Sequence, residues 1–87
     1  MTTFEVEVRI WLKPSVFDPQ GHAAEQALHV QGYDEASDLR IGKYMRLTVK
    51  AATEAAAKAR IEEMCERVLT NPVMETYAYD MKELVAE

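Results

Sequence analysis

The sequence predicts an α+β domain: a ferredoxin-like βαββαβ sandwich, with an antiparallel sheet and two helices on one face. The first observation behind this is the order of hydrophobic periods, which gives strand, helix, strand, strand, helix, strand along the chain. The second is that the connections are short, and right-handed crossovers then favour this topology. With 87 residues, we expect one domain over residues 1–87, with a frayed tail at 82–87.

The first strand is predicted over Phe4–Leu12, where apolar and polar side chains alternate before Lys13-Pro14-Ser15 ends the pattern. A helix follows from Asp18-Pro19 to about Val30, because aspartate caps free amides and proline suits the first helical position. Gly32 is the predicted stop. The helix has a stripe of small residues that is expected to sit close to the sheet: Gly21, Ala24, Ala27 and Leu28.

Two further strands are predicted at Ala36–Ile41 and Tyr44–Lys50, joined by a tight hairpin at Gly42-Lys43. In this fold the first and third strands are antiparallel neighbours. Charged residues of the first strand should therefore face basic residues of the third, with Glu5, Glu7 and Arg9 opposite Arg46 and Lys50.

The second helix is predicted from Thr53, its cap, to about Thr70. Its apolar stripe is Ala57, Ile61, Met64, Cys65 and Val68, and its supporting pairs are Glu54 with Lys58 and Glu63 with Arg67. Asn71-Pro72 ends it, and Val73–Met81 is the last strand.

Composition excludes several classes of protein. Hydrophobic residues make up 48% and charged residues 29%, as in globular chains, and a net charge of −5 argues against nucleic acid or anionic membrane as partner. No apolar run fits a membrane span or a signal peptide. A single cysteine suits a reducing compartment, so we expect a cytoplasmic protein. A chain this small should also gain stability from contact with another subunit.

The residue types that most often carry out catalysis or bind metals are not arranged as a reactive site in this sequence. Cys65 lies on an apolar stripe and is expected to be a buried hydrophobe rather than a nucleophile. His22 and His29 are expected to be surface histidines, too far apart to share a metal ion. The chain has no glycine-rich loop for a phosphate, and the Gly42-Lys43 turn, with Arg40 nearby, is expected to be a plain hairpin turn rather than an anion site. We therefore predict no catalytic, cofactor-binding or metal-binding residue.

Aromatic residues on polar faces indicate a contact surface. Trp11 and Tyr44 share the charged sheet face, and Tyr77 lies on the last strand. Tryptophan is enriched at interface hot spots, so we expect a homodimer through the open sheet face or an edge strand. The alternative for Trp11 is a place at the strand end, against a loop.

Four motifs in order resemble the PurS family, the small subunit of phosphoribosylformylglycinamidine synthase: LKPSVFDPQG from Leu12, AEQAL from Ala24, GYDEASDLRIGKYMRL from Gly32 and MCERVLTNPVMETY from Met64. The resemblance covers about residues 4–81. Phe17, where leucine is common in the family, is a mild departure.

The resemblance implies a non-catalytic assembly subunit. The enzyme converts formylglycinamide ribonucleotide, glutamine and ATP to formylglycinamidine ribonucleotide in purine synthesis. A glutaminase subunit (PurQ) makes ammonia, and a ligase subunit (PurL) uses it with ATP and magnesium. PurS-like chains form dimers or tetramers and dock these enzymes together. Candidate interface residues on the matching motifs are Asp18, Gln20, Gly21, Tyr33, Arg40, Lys43, Tyr44 and Tyr77, with Trp11 added from its exposed face.

Two other classes share this topology. A small-molecule regulatory module of the ACT type would want a glycine-bearing loop after the first strand, where this chain has Lys13-Pro14-Ser15-Val16. An RNA-binding domain would need a basic sheet with exposed aromatics, which the acidic balance opposes.

Overall fold

A computed structural model describes residues 1–84 of the chain. Its elements are β1 (Thr2–Leu12), α1 (Pro19–Val30), β2 (Lys43–Ala51), α2 (Glu54–Met64), a π-helical turn (Cys65–Leu69) and β3 (Glu75–Leu84). The α+β class is confirmed, and the arrangement is consistent with a ferredoxin-like fold, although the sheet in the described part of the chain has three strands rather than four. No helix within residues 1–84 is long and apolar enough to span a membrane.

The sheet has the order β2-β1-β3, and both pairings are antiparallel. The predicted pairing of the first strand with residues 44–50 is confirmed, with Glu7 opposite Arg46. On this charged face, which we call the outer face, Arg46 lies 3.4 Å from Glu5. Arg9 turns to the other neighbour and binds Asp80 at 2.8 Å. The expected charge pairing between β1 and β2 therefore forms at Arg46, whereas Lys50 lies opposite Thr3 and the pair between Arg9 and Asp80 was not predicted.

The core lies on the opposite, inner face of the sheet. The inner-face side chains of β1 from Phe4 to Ile10 are at most 4% exposed. Helix α2 packs over them through Ala57 and Ile61, and the π-helical turn packs over them through Cys65. Alternation in β1 and helical spacing in α2 therefore bury one apolar face against another.

The end of the second helix differs from its predicted stripe. The amide of Thr70 donates to the carbonyl of Cys65, a bond five residues back, so the last turn is π-helical. The wider turn moves the inward position from Val68 to Leu69. Val68 is 78% exposed, and the prediction that it lines the core is wrong.

The predicted strand at Ala36–Ile41 and the tight hairpin at Gly42-Lys43 are also wrong. Asp38 has a φ of 55°, which interrupts an extended run. The amides of Leu39 and Ile41 donate to side chains near α1 rather than to a strand. The segment is thus held by the first helix and pairs with no strand of the sheet.

Helix α1 does not cover the sheet as expected. Gly21 is the only buried residue between Pro19 and Val30. The Cα atoms extend over 52 × 32 × 14 Å, whereas a strand of 11 residues such as β1 spans about 36 Å. The helix projects beyond one end of the sheet, where β1 ends and β2 begins.

The last strand is longer than predicted. Lys82 pairs with Glu5 and Leu84 with Thr3, so the expected fraying is wrong for residues 82–84. The rest of that predicted tail, residues 85–87, lies outside the described residues.

Candidate functional site

The projecting part of the molecule begins at Asp18, the cap of α1. One carboxylate oxygen accepts a hydrogen bond from the Gly21 amide at 2.9 Å, and the other accepts from the Ile41 amide at 2.8 Å. Both bonds favour the charged form, so they hold the pKa of Asp18 below its ordinary value of 3.8. The predicted cap is confirmed, and the same side chain also fastens the segment that precedes β2.

We call α1 together with residues 31–42 the arm. Two further side chains of α1 bind the returning segment. Glu25 accepts from the Leu39 amide at 2.9 Å, and Nε2 of His29 lies 2.7 Å from the Ala36 carbonyl oxygen. His29 is half-buried, so the prediction of a free surface histidine is wrong for it. The arm is therefore a helix with an extended segment bound along its length.

Gly21 and Arg40 complete the base of the arm. A Cβ at Gly21 would collide with the Leu39 carbonyl and the Asp18 carboxylate, so glycine lets the segment approach the helix closely. The Arg40 guanidinium donates to the carbonyls of Pro14 at 3.0 Å and Val16 at 2.7 Å. These bonds join the chain that enters the arm to the chain that leaves it.

A cleft of about 280 Å³ lies between the base of the arm and the end of the sheet, lined by Trp11, Gln20, Lys43 and Glu75 among others. Lys43 lies 3.4 Å from Glu75. The Asn71 amide and then Lys43 hold the pKa of Glu75 below its ordinary value. Gly42 packs directly against the Ile10 carbonyl and the Cβ of Trp11. Trp11 is half-buried at the end of β1 and lies against the loop at Gly42. This is the position that the sequence analysis gives as the alternative to a fully exposed place on the charged face.

The structure brings together six of the nine candidate interface residues at this base: Trp11, Asp18, Gln20, Gly21, Arg40 and Lys43. Tyr44 lies beside them on the outer face, where its hydroxyl donates to Glu7 at 2.7 Å. Tyr33 lies just beyond the far end of α1 and is 54% exposed. Tyr77 is on the inner face, 6.5 Å from the ring of Tyr79. Their role as interface residues stays a prediction.

Cys65 and His22, which the sequence analysis weighed as a nucleophile and a metal ligand, lie in surroundings that indicate neither role. Cys65 has no exposed surface, and burial raises the pKa of its thiol, which confirms a buried hydrophobe. His22 is exposed, with its ring 5.6 Å from that of Phe17. No group of three or more potential metal-binding side chains occurs within residues 1–84.

Sequence reasoning missed Glu25 and His29 as ties of the arm. A signal was present, because Asp18, Glu25 and His29 are seven and four residues apart and so follow one side of a helix. Glu75 was missed as well, and nothing in its local sequence indicates its contact with Lys43.

The family model for PurS, phosphoribosylformylglycinamidine (FGAM) synthase, matches residues 5–83. Phosphoribosylformylglycinamidine synthase subunit PurS of Bacillus subtilis is 45% identical over 84 residues, which are 97% of this chain and 99% of that one. The Synechocystis subunit of the same name is 39% identical, over 94% of this chain and 82% of its own.

Solved structures agree with these relatives. Bacillus subtilis PurS superposes with a TM-score of 0.79 at 44% identity, covering 91% of this chain and 98% of that one. A chain in the structure of PurLQS from Thermotoga maritima gives a TM-score of 0.80 at 31% identity, covering 97% of this chain and all of that one.

Proposed function

Because the chain belongs to the PurS family, we propose that it is the small subunit of phosphoribosylformylglycinamidine synthase and joins the glutaminase PurQ to the ligase PurL. The observation that carries this proposal is its likeness, along 97% of its length, to a chain of the Thermotoga maritima PurLQS structure. The enzyme is a glutamine-dependent ligase of purine synthesis, and this chain supports the transfer of ammonia between its two active subunits.

The surroundings of the ionisable groups support an assembly role rather than a catalytic one. Asp18 has a lowered pKa and accepts hydrogen bonds from two backbone amides, so it is a poor proton acceptor. Lys43 and Glu75 bind each other, and the Arg40 guanidinium binds two carbonyls. These side chains hold the arm in place. We assign ATP, magnesium and glutamine to the partner subunits and no cofactor to this chain.

We also propose that the chain self-associates, as a dimer or tetramer, and that the complex is cytoplasmic. A compact chain of 87 residues has a radius of gyration of about 12 Å. The radius here is 16.9 Å, so much of the surface is available to other subunits. The buried, unpaired thiol of Cys65 suits a reducing compartment.

Reconstitution with PurQ and PurL tests the assembly role. Omitting this chain should sharply reduce synthesis from glutamine, while ligation driven by high ammonium should partly survive, because the ligase subunit keeps its own site. Glutamine- and ammonium-dependent rates are measured side by side, and co-migration of the three chains is checked by gel filtration.

The variant Cys65→Ala provides the matched control, since this thiol is buried and removed from chemistry. It should restore glutamine-dependent synthesis when added back. Unchanged rates without the chain, or turnover by the purified chain alone, would contradict an assembly role.

A further inference from the structure

The end of the second helix and the loop after it carry a cluster of exposed apolar side chains. Nine large hydrophobic residues are exposed in the described part of the chain, and three of them lie within residues 68–74, which we call the valine loop. Val68 and Val73 are each 78% exposed, and Met74 is 44% exposed. The valine loop contains no charged residue. Single exposed apolar residues are ordinary, but a cluster of them marks a surface that another molecule covers.

The π-helical turn is the reason that Val68 is exposed. A regular helical period would turn Val68 toward the core beside Ile61 and Cys65, whereas the wider turn places Leu69 there. Turns of this kind are rare and occur frequently at functional sites. The fold thus leaves in water a valine that an ordinary helix would bury, which favours a role for this side chain outside the core of its own chain.

The backbone of the valine loop is fixed although its side chains are free. Every backbone donor from residue 70 to residue 75 has a partner within the chain, and Pro72 has no donor. The pairs join the amide of Thr70 to the Cys65 carbonyl, that of Asn71 to the Glu75 carboxylate, that of Val73 to the Asn71 side chain, and those of Met74 and Glu75 to the Asn71 carbonyl. A loop that is already ordered loses little conformational entropy when a partner binds it.

The valine loop is also joined to the end of the sheet from which the arm projects. The carbonyl of Met74 accepts a hydrogen bond from the Lys13 amide at 2.9 Å. Glu75, which binds the Asn71 amide, also lies 3.4 Å from Lys43 at the base of the arm. The exposed side chains therefore have fixed positions on the body of the molecule, as the anchor residues of a specific interface do.

We infer that the valine loop inserts into an apolar recess of the ligase PurL. Side chains that are 78% exposed stand out from the surface, so they fit a partner surface that is concave and equally apolar. The inference rests on the assembly role proposed above and deepens it, because it names the surface through which this chain meets one of its two enzymes.

A second copy of the chain is a poorer occupant of this surface. Two copies related by a twofold axis present the same patch to each other, so two valine loops would meet tip to tip. Protruding loops bury little area against each other, whereas a standard interface buries about 800 Å² on each partner.

The rigidity of the valine loop favours the ligase over the glutaminase. A preordered apolar contact dissociates slowly, because little conformational freedom is regained when it opens. In the proposed function ammonia leaves the glutaminase and is consumed at the ligase. The chain must therefore stay on the ligase until each transfer is complete, and the long-lived contact is assigned to PurL.

Val73→Glu tests the insertion, because it places a charge in the recess while residue 73 keeps its backbone donor. Ala59→Glu, on the exposed side of α2, is the matched control. In titrations with PurL, Val73→Glu should bind at least tenfold more weakly than the parent, and the control should bind as the parent does. Titrations with PurQ should not distinguish the three proteins. Thermal unfolding should give all three the same melting temperature, since both positions are exposed.

Val68→Glu is a second variant that keeps the test decisive if Val73→Glu fails to fold. Its side chain points to solvent from the π-helical turn and should also weaken binding to PurL at least tenfold. A folded variant at either position that binds PurL as tightly as the parent would overturn the inference.

A dye on the valine loop measures its burial directly. Val73→Cys protein is labelled with an environment-sensitive fluorophore, which should not react with Cys65 because that thiol has no exposed surface. The emission should shift to shorter wavelength when PurL is added, and the same dye on Ala59→Cys should show no shift. A shift with PurQ instead of PurL, or on concentrating the labelled chain alone, would mean that the glutaminase or a second copy covers the loop, and the inference would be wrong.

The outcomes separate this inference from the assembly role. If the parent binds PurL and Val73→Glu binds equally well, the assembly role stands and the valine loop has no part in it. If the parent binds neither enzyme, singly or with both present, the assembly role and the inference are both wrong. If Val73→Glu lowers the mass of the chain alone in light scattering, the loop joins copies of the chain rather than PurL.

Discussion

Asp18 has two structural roles that a single carboxylate can fill because its oxygens bind amides from distant parts of the chain. It caps α1 through Gly21 and holds Ile41 against the helix. The residue is only 6% exposed, so these two amides, rather than water, stabilise its negative charge. The cap was predictable from the Asp18-Pro19 pair. The bond to Ile41 was not, because it depends on where residues 39–42 return to the helix.

Replacing Asp18 by asparagine should lower the melting temperature by several degrees at pH 7, since asparagine is neutral and has a single oxygen, so one of the two backbone amides loses its acceptor. The pKa of Asp18 is lowered on folding. Its contribution to stability is therefore present above the unfolded value of 3.8 and is lost as pH falls through the folded value.

Thermal unfolding at pH 7 and near pH 2 measures this difference, with Asp34→Asn at an exposed position as control. The gap between parent and Asp18→Asn should shrink in acid. An equal gap at both pH values would show that the charge of Asp18 contributes nothing.

At the scale of elements, the π-helical turn decides which residues of the second helix reach the core. Ile61 and Cys65 have no exposed surface, and the next inward residue is Leu69 rather than Val68. A regular helical period predicts Val68, and no feature of the sequence indicates the extra residue in this turn. Packing of Leu69 and the bond from Thr70 to Cys65 accompany the change.

Ile61→Ala should reduce the free energy of unfolding by about 2–5 kcal/mol, the usual cost of emptying a buried site. Val68→Ala should change it by no more than ~0.5 kcal/mol, because the side chain is largely in solvent. Urea unfolding measures both. Equal losses for the two variants would mean that the helix continues with a regular α-helical period.

Elements with strong local signals were predictable, and those set by distant contacts were not. The alternation of β1 and the caps at Asp18 and Thr53 are confirmed. The sequence analysis predicts a strand at Ala36–Ile41. Its amides nevertheless bind Asp18 and Glu25, and a local pattern does not show this competition between side-chain and strand partners.

At the scale of the whole molecule, the long shape follows from an arm that is fixed at its base. Small-angle scattering at a dilution where the chain is monomeric should give a radius of gyration near 16.9 Å. A value near the ~12 Å of a compact chain would mean that α1 folds back on its own sheet.

The candidate surface was predicted mainly through motifs rather than geometry. Six of nine candidate residues meet at the base of the arm, because the motifs around Asp18 and Gly42 are the two connections of one insertion at the sheet end. Tyr33 and Tyr77 lie elsewhere, since one follows the far end of α1 and the other faces the core side of the sheet.

The smallest Cα dimension of the chain, 14 Å, allows one sheet and one layer of helix. The space between these layers is filled by side chains such as Val6, Val8 and Ile61, which have no solvent contact. A tunnel needs walls on every side, and so thin a slab has no room to enclose one. Ammonia that passes this subunit must therefore travel along a seam with a neighbouring protein, where the subunit supplies one wall.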